Sequence, residues 1–94
     1  ELDTYWIRRG GEDPSAYVTK YAGRCPLLHI KDVGHGPEQP FAEIGEGTLD
    51  FMEIAAAAAS AGTQWLVVEQ DVCRRDPFES LTISYRNLTG LGLA

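Results

Sequence analysis

Pro26-Leu27-Leu28-His29-Ile30-Lys31 and Trp65-Leu66-Val67-Val68-Glu69 decide the fold. Each is a short apolar run that turns polar towards its end, as buried strands of a parallel sheet do. Leu2-Asp3-Thr4-Tyr5-Trp6 reads as the end of a strand before them. Three helix starts lie between and after these runs. Asp13-Pro14 sets an N-cap acceptor before a proline at the first helical position, for a helix through Tyr17, Val18 and Tyr21 that stops at Gly23. Asp50-Phe51-Met52-Glu53 has the form of a capping box and opens an alanine-rich helix ending at Gly62. Those alanines let the helix lie close to a sheet. Asp76-Pro77 repeats the first device, with Glu79 three residues after the cap and Gly90 at the end. On that helix Phe78, Leu81, Tyr85 and Leu88 form one stripe, predicted to face the core. Residues 32–49, rich in Gly, Pro and Glu, read as a long irregular loop. The alternation of strand and helix predicts an α/β protein with parallel strands and right-handed crossovers.

Composition narrows the function. Of the 94 residues, 44% are hydrophobic and 23% charged, which is the balance of one small globular domain. The formal net charge of −6 speaks against binding nucleic acid, which needs clustered Lys and Arg, and against docking on an anionic membrane. No apolar run approaches the ~20 residues that span a bilayer. Cys25 and Cys73 have no CxxC spacing and form no disulfide framework. Two isolated thiols and a start without a basic export signal fit a cytoplasmic protein.

Ligands of parallel sheets bind at the carboxyl ends of the strands. Asp3, His29 with Lys31, and Glu69 fall at three such ends. Alternation places His29 and Lys31 on one face and Glu69 on the face of Val67. If the faces converge, Asp3, His29 and Glu69 form a set of oxygen and imidazole donors suited to Mn²⁺, Mg²⁺, Co²⁺ or Zn²⁺. Each also has a plainer reading: Asp3 as a solvated terminal residue, His29 as a satisfied structural histidine, Glu69 as the start of a polar loop, and Lys31-Asp32 as a local ion pair.

Four segments carry a resemblance. They are Asp3-Thr4-Tyr5-Trp6, Leu28-His29-Ile30-Lys31-Asp32, Gly45-Glu46-Gly47-Thr48-Leu49-Asp50-Phe51 and Val67-Val68-Glu69-Gln70-Asp71. In order and spacing they resemble the C-terminal part of the xylose-isomerase-like barrels, the sugar phosphate isomerase/epimerase group. The resemblance implies a TIM (β/α)8 barrel of about 250 residues or more. This chain would hold its strands six to eight as a single partial domain, residues 1–94, with the first five units missing.

The resemblance also implies chemistry. One divalent metal would be held by Asp3, His29, Glu69 and a glutamate upstream of this chain. Glu69 would act as one of two acid–base glutamates that move a proton between adjacent carbons of a monosaccharide or sugar derivative through an enediolate. Trp6 stands where many epimerases have a substrate-contacting histidine, and could stack on a sugar. His35 lies near the place of a substrate-binding arginine, and Lys31 could orient an oxygen or phosphate. The abasic-site endonucleases of the same superfamily need an Asp-x-His pair that here is Gln39 and Phe41, so DNA repair is a poor match.

The parent is therefore expected to be a metal-dependent sugar isomerase or epimerase. A lyase or dehydratase of sugar acids or keto-sugars is a related alternative, and a non-catalytic half-barrel module a different one. This chain alone is expected to be inactive. Its unpaired strand edges are expected to make it a homo-oligomer, or to bind the missing N-terminal part of the barrel.

Overall fold

The computed structural model describes all 94 residues. In chain order it holds β1 (Leu2–Asp3), α1 (Thr4–Arg9), α2 (Pro14–Lys20), β2 (Leu27–Ile30), β3 (Asp32–Val33), β4 (Phe41–Ala42), α3 (Phe51–Ala61), β5 (Trp65–Val68) and α4 (Pro77–Gly90). The three N-terminal capping signals operate as read, whereas α2 ends at Lys20 with Tyr21 as its cap, short of Gly23, and α4 includes Gly90 and is capped by Leu91. Asp13, Asp50 and Asp76 each accept the backbone N–H three residues on, from Ala16, Glu53 and Glu79. Gly62 closes α3 at φ 86°, a left-handed conformation that glycine adopts without strain.

β1, β2 and β5 form a parallel sheet in the order β1-β2-β5, with Asp3 level with His29 and His29 level with Val67. Leu28 and Ile30 point to the helical side. There they join Val18, Ile44, Phe51, Ile54 and Ala58 in the core. Burying a side chain such as Leu28 stabilises the fold by roughly 1.5–3 kcal/mol. His29 and Lys31 consequently occupy the opposite face.

Three expectations are corrected. First, the chain does not run on from β1 as a strand but enters the helix α1 at once. Asp3 caps that helix by accepting from Trp6 N at 3.1 Å. The buried Thr4 hydroxyl makes the turn possible, donating to Lys31 O at 2.7 Å and accepting from Lys31 N at 2.8 Å. Second, residues 32–49 are not wholly irregular, because β3 and β4 pair antiparallel. Third, the apolar stripe of α4 does not face the core. Of its four residues only Leu88 is buried, together with Ser80 and Ser84, while Phe78 and Tyr85 are 77% and 63% exposed.

The reason is the segment that α4 packs on. Ser84 Oγ accepts from Ile44 N at 3.0 Å, Asn87 Nδ2 donates to Ile44 O at 2.7 Å, and Ser80 Oγ donates to the buried Glu43 carboxylate at 3.1 Å. A loop with open backbone groups needs polar partners, so the polar side of α4 turns inward.

Glu43 also accepts from Gln70 at 3.1 Å and lies 3.7 Å from Arg75. Burial alone would raise its pKa, but these hydrogen bonds and the arginine outweigh burial and hold it below the ordinary value of 4.5. A carboxylate depressed in the folded state stabilises above its unfolded pKa, and that stability is lost as pH falls through the folded value. Acid unfolding of the wild type should therefore steepen below pH 4.5. Glu43→Gln should flatten that limb, at a cost of about 1–3 kcal/mol near neutrality. Urea midpoints across pH 3–7 check this, and parallel curves for the two proteins would refute it.

Candidate functional site

The register of the sheet builds the site. Side chains at paired positions of parallel strands share a face, so Asp3 and His29 stand together at the carboxyl ends of β1 and β2. Glu69, two residues past Val67, joins that face. His29 Nδ1 lies 3.0 Å from Glu69 Oε2, and His29 Nε2 lies 3.3 Å from Glu1 Oε2. The His29–Glu69 approach is not aligned as a hydrogen bond, and Glu69 Oε2 is buried with no donor.

Lys31 is buried on the same face. Its ammonium bridges Asp3 Oδ2 at 2.9 Å and Asp71 Oδ1 at 2.7 Å. Burial alone would push the ammonium pKa down, yet hydrogen bonds and charge from Asp71 and Asp3 hold it above 10.5. Lys31 is thus a fixed cation at the mouth of the site. It does not pair with Asp32, which corrects the reading of that dipeptide as a local ion pair.

Asp32 instead turns into the protein and is fully buried. Its carboxylate accepts from Val33 N at 2.8 Å, Gly45 N and Gly47 N at 3.0 Å, and Leu49 N at 3.1 Å. Gly47 has to be glycine here. A Cβ at that position would lie 2.7 Å from Asp32 Cγ and collide with the Val33 carbonyl. The Lys-Asp pair at the end of β2 therefore splits its work, with Lys31 on the face of Asp3 and Asp71 and Asp32 anchoring the Gly45–Leu49 loop.

Trp6 is half exposed near the site, beside Tyr5 and Phe41. Tyr5 and Phe41 stack at 4.3 Å between centroids, and Trp6 meets Phe41 edge-on at 5.9 Å. This gives Trp6 a supported aromatic wall. His35 is exposed on the loop between β3 and β4, and makes no hydrogen bond or ion pair. It is not drawn into the site.

The structure thus brings His29 and Glu69 together and places Asp3 beside them, but Asp3 is engaged by Lys31. No group of three His, Cys, Asp or Glu side chains is disposed as a metal cage. The donor set nevertheless fits a divalent ion in its chemistry. A buried carboxylate oxygen without a donor faces an imidazole nitrogen at 3.0 Å. That is near the spacing of two adjacent ligands each about 2.1 Å from one ion.

Sequence reasoning missed Asp71, Glu1, Tyr5 and Phe41. Asp71 was findable, because alternation from Glu69 places it on the same side. The partners of Trp6 were not, since the β3–β4 hairpin that delivers Phe41 has no strand pattern.

No protein-family model matches the chain, and no curated protein does. Among solved structures, the chain is similar to the crystal structure of a sugar phosphate isomerase/epimerase from Parabacteroides distasonis. The match has a TM-score of 0.76 and 30% identity, and it covers 99% of this chain. The resemblance read from the four motifs is thereby supported by a solved structure of that description. The chain spans 31% of the length of that structure. No helix is long and apolar enough to cross a membrane.

Proposed function

We propose that this chain is the last three strand–helix units of a TIM-type barrel and carries part of the active site of a divalent-metal-dependent sugar isomerase or epimerase. The observation that carries this reading is the His29–Glu69 pair, with Asp3 and Lys31 beside it, at the carboxyl ends of three parallel strands. Asp3, His29 and Glu69 would hold the ion, which when bound polarises the substrate oxygens and acidifies the adjacent C–H. Glu69 takes and returns the substrate proton at a carboxylate oxygen. Lys31 keeps its charge and orients a substrate oxygen or phosphate, while Asp71 holds it in place. Trp6 offers a face for the sugar ring.

Titration of the 94-residue chain with Mn²⁺ tests the ligand set. One weak site is expected, with a dissociation constant on the order of a millimolar, because part of the ligand set lies outside this chain. His29→Ala and Glu69→Gln should each remove it, with the far-ultraviolet spectrum unchanged. Lys31→Met should tighten it by releasing Asp3. Equal Mn²⁺ binding in wild type and His29→Ala would refute the assignment.

A further inference from the structure

Loops that follow the last two strands of a TIM-type barrel commonly form a phosphate site. On the reading proposed above, on which this inference rests, those strands are β2 and β5. Their loops hold the kinds of donor such a site uses, but nearly all are engaged already. Residues 32–50, after β2, include no lysine or arginine. The glycine-rich stretch there does turn backbone N–H groups towards an anion, as phosphate-binding loops do. That anion is the chain's own, because Gly45 N, Gly47 N and Leu49 N all donate to the Asp32 carboxylate. After β5 come Arg74 and Arg75. Arg75 lies 3.7 Å from Glu43 and 4.0 Å from Glu79. Arg74 alone is exposed without an ion pair.

Lys31 is the remaining cation, and it too is committed. Its ammonium has three N–H bonds. Asp3 Oδ2 at 2.9 Å and Asp71 Oδ1 at 2.7 Å take two of them. Beside it, Glu1 and Glu69 flank His29 at 3.3 Å and 3.0 Å. Four carboxylates thus share the face with one ammonium, and a divalent ion bound there would still leave it net negative. A phosphate or carboxylate arriving at Lys31 would meet two like charges already bound to it, and like-charge contacts are costly. A hydroxyl or carbonyl oxygen escapes that cost and needs only the one free N–H. Trp6, half exposed and backed by Phe41, offers the same uncharged ligand an apolar face.

We infer that the substrate group held at Lys31 is an uncharged hydroxyl or carbonyl oxygen, that the substrate carries no phosphate at this end of the barrel, and that Asp71 sets this choice. Asp3 has two other duties, capping α1 and serving the proposed ion. Asp71 has none, since Lys31 is its one hydrogen-bond donor. Its charge is the one the fold can lose, and it is placed to turn anions away.

Inorganic phosphate is the probe, titrated into the metal-free longer protein that contains this segment and followed by phosphorus NMR. The wild type should show no binding below about 10 mM. Asp71→Asn keeps an acceptor for Lys31 but removes the charge, and should bind phosphate at least about tenfold more tightly than wild type. Asp71→Ala takes its place if the asparagine variant loses its circular dichroism. Adding Lys31→Met to Asp71→Asn should cancel the gain, because the ammonium is then gone. Phosphate binding by the wild type that Lys31→Met abolishes would overturn the inference and make Lys31 an anion receptor. Binding that survives Lys31→Met but falls in Arg74→Ala would overturn it too, and would put the phosphate on the loop after β5. Equal affinities in wild type and Asp71→Asn would take the choice away from Asp71. Neither turnover nor metal enters the measurement, so its failure is distinct from a failed Mn²⁺ titration, which would sink the reading of the site.

Discussion

Asp32→Ala is expected to cost about 4 kcal/mol or more of folding stability, the largest loss from any single side-chain truncation in this chain. The buried carboxylate accepts four backbone N–H groups, three of them from the Gly45–Leu49 loop. A hydrogen bond to a charged group contributes about 1.5–3 kcal/mol, and each buried donor left unpaired adds its own desolvation cost. Even a partial sum is a large share of the ~5–15 kcal/mol that holds a small domain together. Asn at this position keeps the shape but turns an amide N–H₂ towards backbone donors, so Asp32→Asn should recover less than half of the loss. Gly47→Ala attacks the same contact from the other side and should be similarly damaging, because its Cβ has no free space. Urea unfolding followed by circular dichroism measures all three. A loss under about 1 kcal/mol for Asp32→Ala would reduce the residue to a solvated loop acid.

What the sequence revealed and what it hid divide along physical lines. Caps are local, since an Asp needs only the N–H three residues on, so α2, α3 and α4 were legible at their starts. Alternation is local too, and it placed His29 and Lys31 on one face and Glu69 on the face of Val67. That these faces coincide beside Asp3 is decided by the strand register, which no local pattern carries. The inward side of α4 was not local. Its stripe of Phe78, Leu81 and Tyr85 has the pattern of a core face, but the nearest surface is a loop with open backbone groups around Glu43 and Ile44. Hydrogen bonding from Ser80, Ser84 and Asn87 decided the rotation of the helix against its apolar pattern. The same holds at Asp3, where one carboxylate ends a strand, caps a helix and pairs with Lys31. A residue with three roles gives no single sequence signal. α1 was hidden for that reason, and because Tyr5, Trp6 and Ile7 favour strands when read alone.

Glu69→Gln should remove the proposed chemistry while leaving the fold intact. In a longer enzyme containing this segment, kcat should fall by at least about 100-fold, the lower range for loss of a positioned acid or base. Gln retains the volume of Glu69 and one oxygen but cannot accept the substrate proton at neutral pH. Stability should hardly change, because Glu69 Oε2 has no hydrogen-bond donor to lose. His29→Ala should act differently. It removes an imidazole 3.0 Å from that oxygen, so metal affinity should fall first and the rate should recover in part at high Mn²⁺. Lys31→Ala should raise KM more than it lowers kcat, since a fixed ammonium that holds substrate acts in the ground and transition states alike. The three variants thus separate three roles for one face of the sheet. Isotope exchange from solvent into the substrate C–H gives the decisive reading for Glu69, because it follows the proton alone. Exchange at the wild-type rate in Glu69→Gln would take proton transfer away from this residue and leave it at most a metal ligand. Loss of exchange with an unchanged far-ultraviolet spectrum and an unchanged urea midpoint ties the residue to the reaction and not to the fold.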